Sequence, residues 1–125
     1  MDCKNLSPER KQRIVKKYYL SMFGNLEKIA LEVSNKTGLS YKQLKSCESS
    51  RIWGSYSSTR VMKLNWKLIV LPYRLVYYVV CHELCHSVHM NHKPQFWKDV
   101  EKLCPDYKEL KKELKKYSFV LRFKF

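Results

Sequence analysis

Histidine, glutamate and histidine stand together in the run His82-Glu83-Leu84-Cys85-His86, an H-E-x-x-H motif inside an apolar, helix-forming segment. On a helix, residues four apart lie about 40° from one another around the axis and about 6 Å apart along it. Both imidazoles therefore leave one face and can grip a single metal ion. Glu83 projects beside that face, where a carboxylate can take a proton from a water that the metal activates. Metal-assisted hydrolysis is the chemistry these three side chains can do together. The plain alternative, two helix histidines beside a surface glutamate, needs three residue types to fall at two fixed offsets by chance.

Two histidines leave a zinc ion undercoordinated, because catalytic sites normally have three protein ligands and one open position. On a continuous helix His89 shares a face with His82 but lies about 10.5 Å from it along the axis, too far for one ion. His92 would point about 120° away from His86 on such a helix, and it helps only where the chain turns. Met90-Asn91 is a candidate turn, since asparagine tolerates the left-handed conformation. The spacing His82, His86, His92 also reproduces the H-E-x-x-H-x5-H arrangement of metzincins, with His89 at their glycine position. His92 is thus the expected third ligand, Glu101 on the next helix is the alternative, and His89 is placed at the cleft edge. Zinc is the expected ion, although nickel or another divalent metal suits the same donors.

The elements that must hold these residues follow from periodicity and stop signals. Ser7-Pro8 reads as a serine cap with proline at the first helical position. Val15, Tyr18, Met22, Leu26, Ile29 and Val33 then recur at three- and four-residue spacing, and Gly38 ends the helix near Lys36. This long amphipathic helix is expected to back the metal-bearing one. Between Leu39 and Trp66, serine clusters, Gly54 and scattered β-formers predict three short strands, 41–47, 51–56 and 61–66, in an antiparallel meander. Pro72 opens the metal-bearing helix, Tyr73 to about Met90, with Leu75, Val76, Val79, Val80 and Leu84 beside the histidines. Pro94 starts a helix to about Leu103, and Pro105 another with the stripe Tyr107, Leu110, Leu114 and Tyr117. Residues 119–125 alternate apolar and basic, as a last strand or a flexible tail would.

At 125 residues with 45% hydrophobic content the chain suits one globular domain and excludes disorder. The apolar region 68–81 is broken by Pro72 and Arg74, so it is no membrane span, and the polar N-terminus has no signal-peptide core. A cytoplasmic monomer is expected. Five cysteines, an odd number without C-x-x-C pairing, read as free thiols. Cys81 and Cys85 point about 100° from the ligand face, so packing is their expected role. The net charge of +14 attracts phosphate backbones or acidic partners. Contact with nucleic acid is therefore an option that the charge opens without defining a function.

In chain order, Trp53-Gly54-Ser55, Leu64-Asn65-Trp66, Leu68-Ile69, Leu71-Pro72, Tyr78 to His86, Asn91-His92, Phe96-Trp97 and Pro105-Asp106-Tyr107-Lys108 resemble the YgjP-type metallopeptidase-like family. That family is related to the SprT-like and WLM-type zinc proteases, and the likeness runs over about residues 10–117. It implies an α+β, minimal zincin-like domain: a small antiparallel sheet, a backing helix, the metal-bearing helix and C-terminal helices. It also implies His82, His86 and His92 as ligands and Glu83 as general base. Two features depart from the family. Tyr56 stands where a cysteine is usual after Trp-Gly-Ser, and a longer β-rich N-terminal part that many members carry is missing. Within the motif set, Trp53 and Trp66 are expected in the core. Asn65 either bonds the backbone or orients a ligand histidine, and Phe96 with Trp97 packs the following helix against the metal helix.

The leading expectation is a zinc-dependent peptidase acting on a peptide or protein substrate. Tyr56, Arg51, His89 and Tyr78 are the candidate donors to the developing oxyanion. An exposed edge of the strand region would hold an extended peptide by strand addition. One rival is a metal-dependent phosphohydrolase acting on nucleotides, against which stands the lack of a glycine-rich phosphate loop. The other is a non-catalytic basic domain with a structural metal, which would need a fourth protein ligand.

Overall fold

The helix start at Ser7 forms as its residues predict: Ser7 Oγ accepts from the Arg10 amide at 3.2 Å. The computed structural model describes residues 7–10, 13–14, 17 and 23–123. Val15, Tyr18 and Met22 of the predicted apolar stripe lie outside them. Helix α1, Phe23–Thr37, buries Leu26, Ala30 and Val33 along one face. It ends where glycine permits it to, since Gly38 has φ 78° and donates to Ser34 O at 2.9 Å.

Three strands follow, β1 (Gln43–Cys47), β2 (Gly54–Tyr56) and β3 (Val61–Asn65). Their order is β1-β3-β2, with β2 antiparallel to β3 and β1 parallel to it. The predicted antiparallel meander is therefore corrected to a mixed sheet. Only the β2–β3 hairpin is local, closed by a turn in which Arg60 adopts φ 65°. Residues 48–53 carry the chain from Cys47, opposite Asn65, over the end of β3 to Gly54, opposite Leu64.

Asn65 is the post around which that crossover wraps. Its side-chain amide donates to Ser49 O and Ile52 O, both at 3.1 Å, and its Oδ1 accepts from the Lys67 amide at 3.0 Å. The side chain is fully buried, so each of these bonds replaces one that water would otherwise supply. Of the two roles open to Asn65, bonding the backbone is the one it plays. A 3-10 turn, Trp66–Val70, then leads to Pro72 and helix α2, Tyr73–Cys85.

Helix α2 is apolar nearly all round because it is enclosed: α1, β2, β3 and the two helices that follow all pack against it. Those helices are α3, Pro94–Leu103, and α4, Tyr107–Lys116. Trp53, Trp66, Cys81 and Cys85 are all buried, as expected, and Cys47, Cys81, Cys85 and Cys104 are free thiols. The tail is neither strand nor coil at its start. Ser118–Arg122 forms a short helix, α5, whose Val120 and Leu121 are buried. Lys67, itself buried, donates from Nζ to Leu121 O at 2.7 Å and ties α5 to the core. Among the described residues no helix is long and apolar enough to cross a membrane.

Replacing Asn65 with alanine removes three bonds at once and strands two carbonyls and an amide in the crossover. We expect Asn65→Ala to lower stability by about 2–4 kcal/mol, measured by urea denaturation, with the midpoint moving and the slope retained.

Candidate metal centre and active-site cleft

Helix α2 stops at Cys85, not near Met90 as the sequence suggests. The amides of His86, Ser87 and Val88 bond back to Glu83, Leu84 and Cys85 at 2.9 to 3.2 Å, which tightens the last turn. His86 caps the helix, and its Nδ1–H donates to the carbonyl of His89 at 2.8 Å. That bond sets the tautomer and leaves Nε2 of His86 free as a ligand atom.

The early stop lets the chain return. One ring nitrogen from each of His82, His86 and His92 lies within 4.8 Å of the others. Nε2 of His92 is 3.3 Å from Nε2 of His82. Two imidazole nitrogens bound about 2.05 Å from a tetrahedral zinc ion would stand about 3.3 Å apart, so the His82–His92 pair has the spacing such an ion needs. Among the described residues the group closes at three. Glu101, the alternative ligand, is exposed on α3 and borders a different hollow with Pro105 and Asp106.

An aromatic frame holds the three rings. Phe96, fully buried, stacks on His86 at 4.5 Å and meets His82 and His92 edge-on at 5.0 and 4.9 Å. Trp97 stacks on His92 at 5.8 Å, and Tyr107 stacks on Trp97 at 5.4 Å. Phe96 and Trp97 thus pack α3 against α2, as expected, and clamp the segment that carries His92. Burial is the main reason the pKa of His82 falls to about 3, with the neighbouring His86, His92 and Lys111 adding to it. Burial also lowers His86, partly offset by its bond to the His89 carbonyl. Neutral imidazoles are the form that ligates.

Glu83 is buried on the α2 face next to His82, and both line one hollow with Arg51, Trp53, Gly54 and Tyr78. Burial alone pushes its carboxyl up to about 8. Strand β2 can come this close only because residue 54 is glycine. A Cβ there would stand 3.0 Å from Lys63 O and 3.1 Å from Glu83 Cγ.

The family model for the YgjP-like metallopeptidase domain matches residues 1–117. The chain belongs to that family. No curated protein matches its sequence closely enough to count as a relative. Two solved structures share its fold. The metallopeptidase zymogen abylysin of Pyrococcus abyssi superposes with a TM-score of 0.63 at 20% identity, covering 71% of this chain and 90% of that one. The metallopeptidase zymogen jannalysin of Methanocaldococcus jannaschii gives 0.62 at 18% identity, covering 73% and 94%.

In this YgjP-like chain His89 is more than a cleft-edge residue. Its Nε2 meets Asp99 Oδ2 at 2.7 Å, anchoring to α3 the residue whose carbonyl receives His86. Asp99 escaped the sequence reading, for its only signal is the distant pairing with His89. Of the four oxyanion candidates, His89 is engaged with Asp99, and Tyr56 donates its hydroxyl to Ser40 O at 2.8 Å. Tyr78 and Arg51 remain on the wall of the hollow beside His82 and Glu83.

Cutting the Asp99 anchor should loosen His86 without touching a ligand. We expect Asp99→Ala to weaken zinc binding by about 10- to 100-fold in a chelator competition assay while the chain stays folded. The metal-free chain should also carry a signature of Glu83. Its folded carboxyl titrates near 8 against an ordinary 4.5, so the folded state keeps a proton that the unfolded state releases as pH rises between these values. Stability from this group is therefore full below pH 4.5 and lost on the way to pH 8. With EDTA present, the melting temperature of Glu83→Gln relative to wild type should climb from pH 5 to pH 8; a flat difference would contradict the shift.

Proposed function

We propose that this chain is a zinc-dependent peptidase in which His82, His86 and His92 hold the ion and Glu83 is the general base. The observation that carries the reading is the convergence of three imidazole nitrogens within 4.8 Å, one of them from His82, which lines a hollow together with the buried Glu83. Membership of a metallopeptidase domain family supports it. The same donors would accept nickel or another divalent ion. A bound ion would supply acidification of a water and polarisation of the scissile carbonyl.

The rest falls to the chain. Glu83 takes the proton of the attacking water and returns it to the leaving nitrogen, so that a weakly basic amide nitrogen departs as an amine. Burial raises its basicity toward the operating pH, and a nearby dication favours the ionised form needed at the start. Tyr78 is our choice of oxyanion donor. It stands edge-on to His82, with ring centroids 6.0 Å apart, and burial pushes its pKa to about 12, so the phenol keeps its proton. Strand β2 is an edge strand packed on α2, and an extended substrate could add to it as a further strand.

With a casein-type substrate, chelation should abolish turnover and zinc should restore it. Glu83→Gln should lower kcat by about 10²–10⁴-fold while retaining bound zinc. Tyr78→Phe should lower kcat by about a hundredfold with little change in KM, the split expected of a donor used in the transition state. A parallel phosphate-release assay on nucleotides decides between this reading and the rival hydrolysis. Were Glu83→Gln to lose nucleotide turnover while no peptide was cut by either protein, the peptidase reading would fall.

A further inference from the structure

The hollow beside the metal centre has a volume of about 320 Å³ and an uneven chemistry. Its inner surface is apolar, formed by Trp53, Val79, Leu114 and Leu121. Its exposed rim is cationic: Arg51 from the crossover segment on one side, Lys111 and Lys115 from α4 on the other. The two lysines are four residues apart and so leave one face of α4. Among the described residues Glu83 is the only acidic side chain on the wall. None of the three cations has an ion-pair partner among the described residues, where Arg74, His89 and Lys102 are the ones that do.

Lys111 links this rim to the centre. Its Nζ lies 4.6 Å from the centroid of the Trp97 ring, which stacks on His92. A cation held against an aromatic face loses part of its freedom, so the charge of Lys111, which also lines the hollow, stays close to the centre. Because His82 and Glu83 form part of the same wall, whatever side chain occupies the hollow must sit next to the bond being cut.

We propose that the hollow is a substrate subsite selecting peptides with a carboxylate beside the scissile bond. The apolar wall takes the methylene stem, and Arg51, Lys111 and Lys115 take the charge. A glutamate side chain and a free chain terminus offer the same chemistry. The inference rests on the peptidase reading, and it adds the substrate class.

The test uses the full zinc-loaded chain. Cleavage sites in a mixed peptide digest are read by mass spectrometry, and matched peptides are then made with Glu, Gln or Lys beside the cut, each with a free or amidated terminus. Glu should exceed Gln by about tenfold in kcat/KM and Lys by more, and the double variant Arg51→Glu, Lys115→Glu should prefer Lys. Loss of activity on amidation would assign the carboxylate to the terminus, and indifference to amidation would assign it to the side chain; either supports the subsite. Equal cleavage of all three peptides that is also unmoved by amidation, or an acidic preference that survives the double reversal, overturns it and leaves the peptidase intact. A second readout does not need turnover: the affinity of labelled Glu and Lys peptides for Glu83→Gln, by fluorescence anisotropy. The Glu peptide should bind more tightly, and the double reversal should weaken it at least about tenfold. Equal binding that amidation also leaves unchanged overturns the subsite, whereas selective binding with no peptide ever cut keeps the hollow as a carboxylate-binding site and removes the peptidase reading, and with it the place beside a scissile bond.

Discussion

A helix that ran on through residue 90 would carry His92 away from His82, and no ion could meet three ligands. Helix α2 ends instead at Cys85, and the bond from His86 Nδ1 to the His89 carbonyl holds the reversal in place. One short contact thus does two things. It fixes the ring of His86 so that Nε2 is left free, and it brings the chain back so that His92 can approach to 3.3 Å of His82. Asp99 makes the arrangement stiff by holding the side chain of the same residue whose carbonyl is used. Without that anchor His89 would sit on a surface turn, and the geometry of His86 would follow every fluctuation of the loop.

The centre also depends on α2 being a core element that carries His82 and Glu83. Glu83 and His82 are next to residues such as Val80, Cys81 and Leu84 that are fully buried, so their rotamers are set by packing and not by solvent. The cost of this is visible in the electrostatics. A carboxyl raised to about 8 and an imidazole lowered to about 3 both express the expense of charge in that environment. A cation held by the three histidines would offset the penalty on the carboxyl. Gly54 completes the enclosure by letting the sheet edge close on Glu83, and even a methyl group at that position would force the two apart.

Much of this was legible in the residues, and the exceptions have a common cause. The H-E-x-x-H run, the helix starts at Ser7 and Pro94 and the glycine stop at Gly38 are local signals, and each holds where the described residues cover it. The parallel pairing of β1 with β3 is not local. Three short β-forming segments joined by serine-rich turns look alike whether they pair in sequence or out of it, and the choice falls to Asn65, a buried amide that pins the crossover. The premature end of α2 was hidden for the same reason. No glycine or proline marks it, because the stop is made by a ligand histidine and by an aspartate on another helix. The alternation in Phe119 to Phe123 suited a strand, yet it equally suits a single helical turn once Lys67 offers a buried donor to the Leu121 carbonyl.

Charge is the remaining property that sequence shows without locating. A net +14 spread along the chain says only that acidic partners are favoured at long range, and salt screens such a field within about 10 Å. What matters for chemistry is where an unpaired cation stands relative to the reacting bond. The fold sorts the basic residues by this measure: Arg74 is neutralised by Glu113 and Lys102 faces Asp99, while Arg51, Lys111 and Lys115 face one hollow without an acid. Lys111 is held there by the same tryptophan that stacks on His92. The frame that positions a ligand and the frame that positions a rim charge are therefore one stack of rings. A shift in Trp97 would move both, which ties the placement of the Lys111 charge to that of His92.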